Sequence, residues 1–219
     1  MSTTALARPY SILAGDWRDF PEALAAAGAL VTDPPYGIAY QSGKASPCGM
    51  ARQIRNDEDT SERDALLDAW GARPAIVFGS WRRPRPAATK ALLVWDSKGA
   101  LGMGDLGIPW KPAHQEIYVL GDGFTGKRTT DVLRYAPVQA RALAGRKHPH
   151  QKPVELLQEL LAKVPLDRII LDPFCGSGST GVAAMLTGHR FIGIELDPAH
   201  AAMAERRIAH AAQWRHRAG

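Results

Sequence analysis

Two short stretches hold residue types that could do chemistry together. Asp33-Pro34-Pro35-Tyr36 follows the apolar run Ala29-Leu30-Val31-Thr32, and Phe174-Cys175-Gly176-Ser177-Gly178-Ser179-Thr180 follows Ile169-Ile170-Leu171-Asp172-Pro173. In the first, an acid ends an apolar run, two prolines restrict the backbone after it, and an aromatic comes three positions past the acid. That set suits an exocyclic amine on a conjugated ring, such as that of adenine or cytosine. The lone pair of such an amine is delocalised, so the nitrogen must pyramidalise before it attacks an electrophilic carbon. Two acceptors aimed at its two N–H bonds favour that change. The Asp33 carboxylate can supply one and the Pro34 carbonyl the other, both held before the base arrives. Tyr36 can stack on the ring. The target atom is inaccessible inside a duplex, so the nucleotide would have to be flipped out. No general base of shifted pKa is required, because the product amine can lose its proton after transfer. The plainer reading of a Pro-Pro pair is loop punctuation.

The second stretch matches G-x-G-x-x-G from Gly176 to Gly181, the pattern of a dinucleotide loop. Its flanks argue otherwise. Asp172 ends the preceding apolar run and would face the ligand, where a carboxylate repels a pyrophosphate but attracts the ammonium of a methionine moiety. Glycines let the backbone pass close to a ligand that a Cβ would obstruct. Glu195 ends the next apolar run, Phe191-Ile192-Gly193-Ile194, and can accept from two ribose hydroxyls. Dehydrogenases share that role, so Asp172 discriminates and Glu195 does not. The alternative is an ordinary strand-to-helix turn whose glycines serve packing.

The elements that must position these residues alternate. Strands are expected at 10–14, 29–32, 75–78, 91–95, 116–120, 168–171 and 191–194, and helices at 21–27, 61–70, from Pro153, at 180–186 and at 199–214. Leu156, Leu157, Leu160, Leu161 and Val164 form an apolar stripe at helical spacing. Ser61 is the expected cap of its helix, with Asp64 in the capping-box position. The segment 38–60 is polar and aperiodic and reads as a mobile loop; 121–149 reads as irregular and basic. Such alternation implies a mainly parallel sheet covered on both faces. With 219 residues the chain fits one α/β domain over 1–219. No apolar run approaches the ~20 residues of a membrane helix, and no signal-like stretch opens the chain, so a cytoplasmic location is expected. Cys48 and Cys175 suggest neither a disulfide framework nor a metal site. The net charge of +5, from 27 basic and 22 acidic side chains, permits a polyanionic partner without demanding one. Basic clusters lie at 134–152, at Arg82, Arg83, Arg85 and Lys90, and at Arg206, Arg207, Arg215 and Arg217. Each alone reads equally well as a solvated face.

With the catalytic stretch ahead of the cofactor stretch, the chain resembles the β class of DNA amino-methyltransferases over most of its length. The resemblance implies a circularly permuted, Rossmann-like α/β methyltransferase fold: a mainly parallel sheet of seven strands with one antiparallel strand, near Tyr118. It implies S-adenosylmethionine as cofactor and double-stranded DNA as partner. Asp33, Pro34, Pro35 and Tyr36 would be catalytic, with Asp33 also beside the cofactor. Pro173, Phe174 and Cys175, with the Gly176 to Thr180 turn, would cradle the cofactor between Asp172 and Glu195, with Leu196 next to the latter. His148-Pro149-His150-Gln151-Lys152-Pro153 resembles the family's H-P-x-x-K-P stretch. There His148, Gln151, Lys152 and Pro153 would meet the methionine end, Lys152 as partner of its carboxylate. A metal site at His148 and His150 lacks further ligands nearby. Leu13-Ala14-Gly15-Asp16-Trp17 resembles the segment beside the cofactor adenine. Asp16 would accept from the adenine amine, or simply cap the following helix. Trp81 and Trp95, in stretches resembling the strands beside the base pocket, are expected to pack rather than to bind.

The departure from the family is the short recognition insert, 121–147. Recognition would be compressed there, shared with 38–60, or supplied by a partner subunit or a second copy, which implies a short or degenerate target. The expected reaction is methyl transfer to a DNA base amine, adenine N6 before cytosine N4, since Asp-Pro-Pro-Tyr is more typical of the family's adenine enzymes. The rivals are a methyltransferase acting on RNA or a protein amide, a DNA-binding module without turnover, and a nicotinamide-dependent oxidoreductase, which Asp172 disfavours.

Overall fold

A computed structural model of the chain describes residues 8–37, 58–99, 104, 106–138 and 151–218. The strands among them are β1 (Tyr10–Ala14), β2 (Ala29–Thr32), β3 (Ala75–Gly79), β4 (Thr89–Asp96), β5 (His114–Leu120), β6 (Val132–Arg134), β7 (Ile169–Asp172) and β8 (Arg190–Glu195). The helices are α1 (Pro21–Ala26), α2 (Ser61–Trp70), α3 (Val154–Leu161), α4 (Ser179–Thr187) and α5 (Pro198–Ala218), with a short 3-10 turn at Trp17–Asp19. The eight described strands form one sheet in the order β1-β8-β7-β2-β3-β5-β4-β6. β5, which carries Tyr118, runs antiparallel to both β3 and β4, while the other pairings are parallel. The fold is the expected Rossmann-like one, and β6 adds an eighth strand at the sheet edge.

The central strands are apolar throughout because both faces are covered. Ala29, Val31, Ile76, Phe78 and Ile170 face a core built with α3, α4 and α5. Their neighbours Leu30, Ala75, Val77 and Leu171 face a second core with α1 and α2. The strict alternation follows from side chains pointing to opposite faces along a strand. The Leu156, Leu157, Leu160, Leu161 and Val164 stripe is buried as its spacing requires.

Three local expectations are corrected. Helix α2 starts at Ser61, but Thr60 is its cap residue; the Thr60 hydroxyl donates to Asp64 at 2.7 Å, and Asp59 accepts from the Ser61 amide at 2.8 Å. The order Asp59-Thr60-Ser61 offers three capping types in a row, and spacing alone cannot choose among them. Pro153 is the residue before α3 rather than its first. The segment 121–138 is not irregular throughout, since Val132–Arg134 pairs with Val94, Trp95 and Asp96. Three residues are too few for a periodic signal. The expected loop 38–60 lies outside the described residues up to 57, as does 139–147 of the recognition insert. Among the described residues no helix is long and apolar enough to cross a membrane.

Candidate active site

β2 and β7 pair in parallel with Leu30 opposite Leu171, so their C-terminal ends lie side by side. Asp33 follows one end and Asp172 closes the other. The Thr32 hydroxyl donates to Asp172 Oδ1 at 2.7 Å, a buried contact between residues 140 positions apart that joins the two chemical stretches. The Phe174 amide donates to the same oxygen at 3.2 Å. Asp172 is 2% exposed. Burial pushes its pKa up to about 6; the Thr180 and Thr32 hydroxyls and the Phe174 amide pull it back, and nearby Asp33 adds to the rise. An enclosed carboxylate held this way gains from a neighbouring cation.

The glycines of the turn divide by role. Gly176 has φ +52°, and a Cβ there would meet nothing nearer than the Phe174 carbonyl at 3.9 Å, so its backbone stays approachable. Gly178 has φ +79°, and a Cβ there would come within 2.9 Å of Ala204 Cβ on α5. At Gly181 a Cβ would come within 2.3 Å of Ile208 Cδ1. Packing therefore explains Gly178 and Gly181, and it does not explain Gly176. Glu195, ending β8, accepts from the Gly176 amide at 2.7 Å and from the Asp197 amide at 3.0 Å. Ser177 and Ser179 are buried with their hydroxyl oxygens 3.5 Å apart, and Thr180 is buried beside them. Burial raises the Cys175 thiol well above its ordinary pKa, and this side chain fills the space over Gly193. Leu196, the residue after β8, is exposed.

The Asp33 stretch is closed on itself. Tyr36 donates its hydroxyl hydrogen to Asp33 Oδ1, and Lys152 Nζ donates to Oδ2. Lys152 also reaches the Tyr36 oxygen at 3.1 Å, and Gln115 Oε1 lies 3.5 Å from that oxygen. Lys152 is buried, 4.9 Å from the Phe78 ring centroid, 5.6 Å from that of Tyr36 and 6.0 Å from that of Trp95. The resemblance directed Lys152 to a cofactor carboxylate; the structure places it on Asp33. Gln151 and Pro153 flank it. His148 and His150 lie outside the described residues. Asp16 is the cap of the 3-10 turn, accepting from the Arg18 amide at 2.9 Å and from the Arg18 guanidinium, which also grips Glu62 on α2 at 3.1 Å. It comes two residues after Ala14, which pairs with Glu195 across β1 and β8. Trp95 packs as expected, its indole N–H donating to the Tyr135 carbonyl at 2.7 Å. Trp81 does not: it is 61% exposed, with the Arg82 guanidinium over its ring. It comes two residues after the end of β3.

Sequence reasoning missed three supporting residues. Thr32 reads only as the last residue of an apolar strand. Arg83 looks like part of a solvated basic cluster, yet it donates to the Gly37 and Glu58 carbonyls and so fixes the chain just after Tyr36. Arg207 looks like part of a basic tail, yet it donates to the Ser177 carbonyl from α5. No local pattern separates a guanidinium that caps backbone carbonyls from a solvated one. Among the described residues no cluster of metal-ligating side chains occurs.

Comparison with known proteins agrees with this geometry. A family described as DNA methylase matches residues 109–206. The YubD protein of Escherichia coli (strain K12) is 29% identical over 82% of this chain and 81% of its own. The type II methyltransferase M2.MboI of Moraxella bovis is 36% identical over 46% of this chain, a match spanning 39% of M2.MboI. The crystal structure of the M1.HpyAVI–SAM complex superposes with a TM-score of 0.64 at 20% identity, covering 90% of this chain and 99% of that one, and so shares its fold.

Proposed function

We propose that this chain, a relative of the DNA amino-methyltransferases by sequence and by fold, transfers a methyl group from S-adenosylmethionine to the exocyclic amine of a flipped-out base in double-stranded DNA, adenine N6 before cytosine N4. One observation carries the reading: the Thr32–Asp172 hydrogen bond sets an acid–proline–proline–tyrosine stretch directly beside an open glycine turn. A base amine and a methyl donor held at those two places would be neighbours.

The residues of the turn fit the cofactor. Asp172 is an enclosed carboxylate suited to an ammonium. Gly176 leaves the backbone approachable, and Glu195 offers two oxygens at the next strand end for ribose hydroxyls. Asp16, just past the end of the neighbouring strand, would accept from the adenine amine. Pro173, Phe174, Cys175 and Ser177 to Thr180 shape the turn, and Leu196 borders it. Gln151, Lys152 and Pro153, with His148 before them, take the methionine end. When bound, S-adenosylmethionine supplies a methyl group on a positively charged sulfur.

Asp33 and the Pro34 carbonyl then accept the two N–H bonds of the base amine, which favours the pyramidal nitrogen whose lone pair can form the new N–C bond. The carbon–sulfur bond electrons leave with sulfur, and the amine proton is lost to water afterwards. Tyr36 stacks on the base. To receive it, Asp33 must exchange the Tyr36 and Lys152 donors for the amine, and Lys152 then turns to the methionine carboxylate. The insert 121–147, together with 38–60 or a second subunit, would read a short or degenerate target. A fixed target of six or more base pairs read by the monomer would remove that last point.

The test is transfer of radiolabelled methyl from S-adenosylmethionine to unmethylated genomic DNA, followed by nucleoside chromatography. Label in N6-methyladenine is the expected result. Label in N4-methylcytosine keeps the mechanism and corrects the base. Cofactor binding with no label on DNA, and label on RNA or protein instead, overturns the reading.

A further inference from the structure

We propose that the segment 106–112, leading into β5, is a wedge for double-stranded DNA, whose Leu106, Ile108 and Trp110 fill the gap that a flipped-out base leaves in the stack. The inference rests on the base-amine methyltransferase reading above, and it names a surface that the acceptors and the glycine turn do not require.

The first observation is exposure. Leu106, Ile108 and Trp110 are 80%, 53% and 76% exposed, three large apolar side chains within five residues. Single exposed apolar residues are ordinary; a contiguous group is a contact surface. Pro109 and Pro112 restrict the backbone on either side of Trp110. The stem is tied as well. The Ser97 amide and hydroxyl both donate to the Ala113 carbonyl, at 2.8 Å and 2.7 Å. The two ends of the connection are therefore fastened together at the sheet.

The second observation is place. β4 runs in the same direction as β2, because each is related to its neighbour by the pairings β2 to β3 parallel and β3 to β5 to β4 antiparallel twice. Asp96 therefore ends at the same sheet edge as Asp33, and His114 opens β5 opposite it. Gln115, the next residue, lies 3.5 Å from the Tyr36 hydroxyl. From Gln115 back to Trp110 the chain can span at most about 17 Å. The apolar tip thus rises from the rim of the place where the base amine is received.

Charge is the third observation, and it selects the partner. Lys98 and Lys111 are exposed on the two flanks of the tip, and Asp105 is the one acid in 97–113. Phosphates lie on both sides of an opened base step and would meet these cations. Apolar side chains inserted between base steps are a general means of holding a duplex open. An apolar protein surface would match the three side chains but not the flanking lysines.

The experiment compares Trp110→Ser and Trp110→Leu in the full chain, with Leu166→Ser as a control at an exposed apolar residue of another loop. Methyl transfer is measured on native genomic DNA from a host lacking base methylation, alongside S-adenosylmethionine affinity and permanganate reactivity of thymines in the bound DNA. Trp110→Ser is expected to lower transfer on the order of tenfold, within what one base–aromatic stack is worth, and to reduce the permanganate signal. Trp110→Leu retains most of the rate because a wedge needs bulk more than an indole. Cofactor affinity and the Leu166→Ser rate stay unchanged. Wild-type transfer by Trp110→Ser, equal loss in Trp110→Leu, or weakened self-association in place of slower transfer would each overturn the wedge. A wild-type chain that labels no DNA overturns the methyltransferase reading itself, and the wedge with it.

Discussion

Asp172 carries a pH signature of its own. Its pKa of about 6 lies above that of an ordinary carboxylate, chiefly because it is enclosed. Between roughly pH 4 and pH 6 the folded chain therefore holds a proton that the unfolded chain has lost, so this group's contribution to stability falls as pH rises through that window and stays low above it. Asp172→Asn is expected to flatten the window and to stabilise the cofactor-free chain above neutral pH by up to about 3 kcal/mol, since raising a pKa by one costs the charged form about 1.4 kcal/mol. The same variant loses S-adenosylmethionine affinity. Thermal melts from pH 4 to pH 8 and a cofactor titration read both effects; a pH dependence as steep as wild type would show that another group titrates. Asp33 calls for a different choice of variant. Its pairing with buried Lys152 means that Asp33→Ala strands an ammonium among aromatic rings, so a fall in activity would be mixed with a fall in stability. Asp33→Asn keeps an acceptor oxygen for Lys152. It is expected to cut methyl transfer about 100-fold, the scale of losing one preorganised polar group at a reacting centre, with cofactor binding largely kept.

At the level of elements, the site depends on strand ends being held in register. β3 approaches β5 closely at Gly79, where a Cβ would come within 2.2 Å of the Tyr118 ring. That ring cannot swing aside, because it is fully buried and its hydroxyl donates to Glu116 at 2.7 Å. Burial, followed by the Glu116 hydrogen bond and charge, raises the Tyr118 hydroxyl well above its ordinary value, so it stays protonated and holds this contact across the working pH range. Glu116 in turn meets the half-exposed Arg85 at 2.6 Å, so the buried carboxylate is paired. Gly79→Ala is expected to destabilise the fold by roughly 1–3 kcal/mol through overpacking, visible as a lower urea midpoint with an unchanged slope. A neutral outcome would mean that β3 and β5 can separate without cost. Arg83 is the other device at this scale: it draws the Gly37 and Glu58 carbonyls to one guanidinium, so α2 and the catalytic stretch are fixed by a residue on neither.

For the whole molecule, the C-terminal ends of β1, β2, β7 and β8 and the turn before α4 carry most of the candidate site residues, and Lys152, just before α3, joins them through its contact with Asp33. Exposed cations lie beyond β3 and around the β4–β5 connection: Arg82, Lys98 and Lys111, with Arg134 beside Asp96. Salt titration of binding to native DNA should show log affinity falling linearly with log salt concentration. The double variant Arg82→Ala/Lys111→Ala is expected to reduce that slope by about 1 to 2, near 0.9 for each phosphate left without its cation. An unchanged slope would place the DNA on another face.

The order of the two motifs, the apolar runs that precede them and the acids that end those runs were legible in the sequence, because strand ends and glycine turns are local facts of residue type and spacing. So were seven of the eight described strands, whose apolar runs of four or more residues stand out between turn residues. What the sequence could not decide is which side chains meet. Thr32 touching Asp172, Lys152 sitting on Asp33, Arg83 and Arg207 turning inward, and Trp81 pointing out all follow from β2 pairing with β7 and from helices covering some strand ends and not others. Those contacts join residues from separate parts of the chain, and their energy depends on burial that exists only once both faces of the sheet are covered. Residue types set what the chemistry could be; the tertiary structure set which donor each acceptor finds.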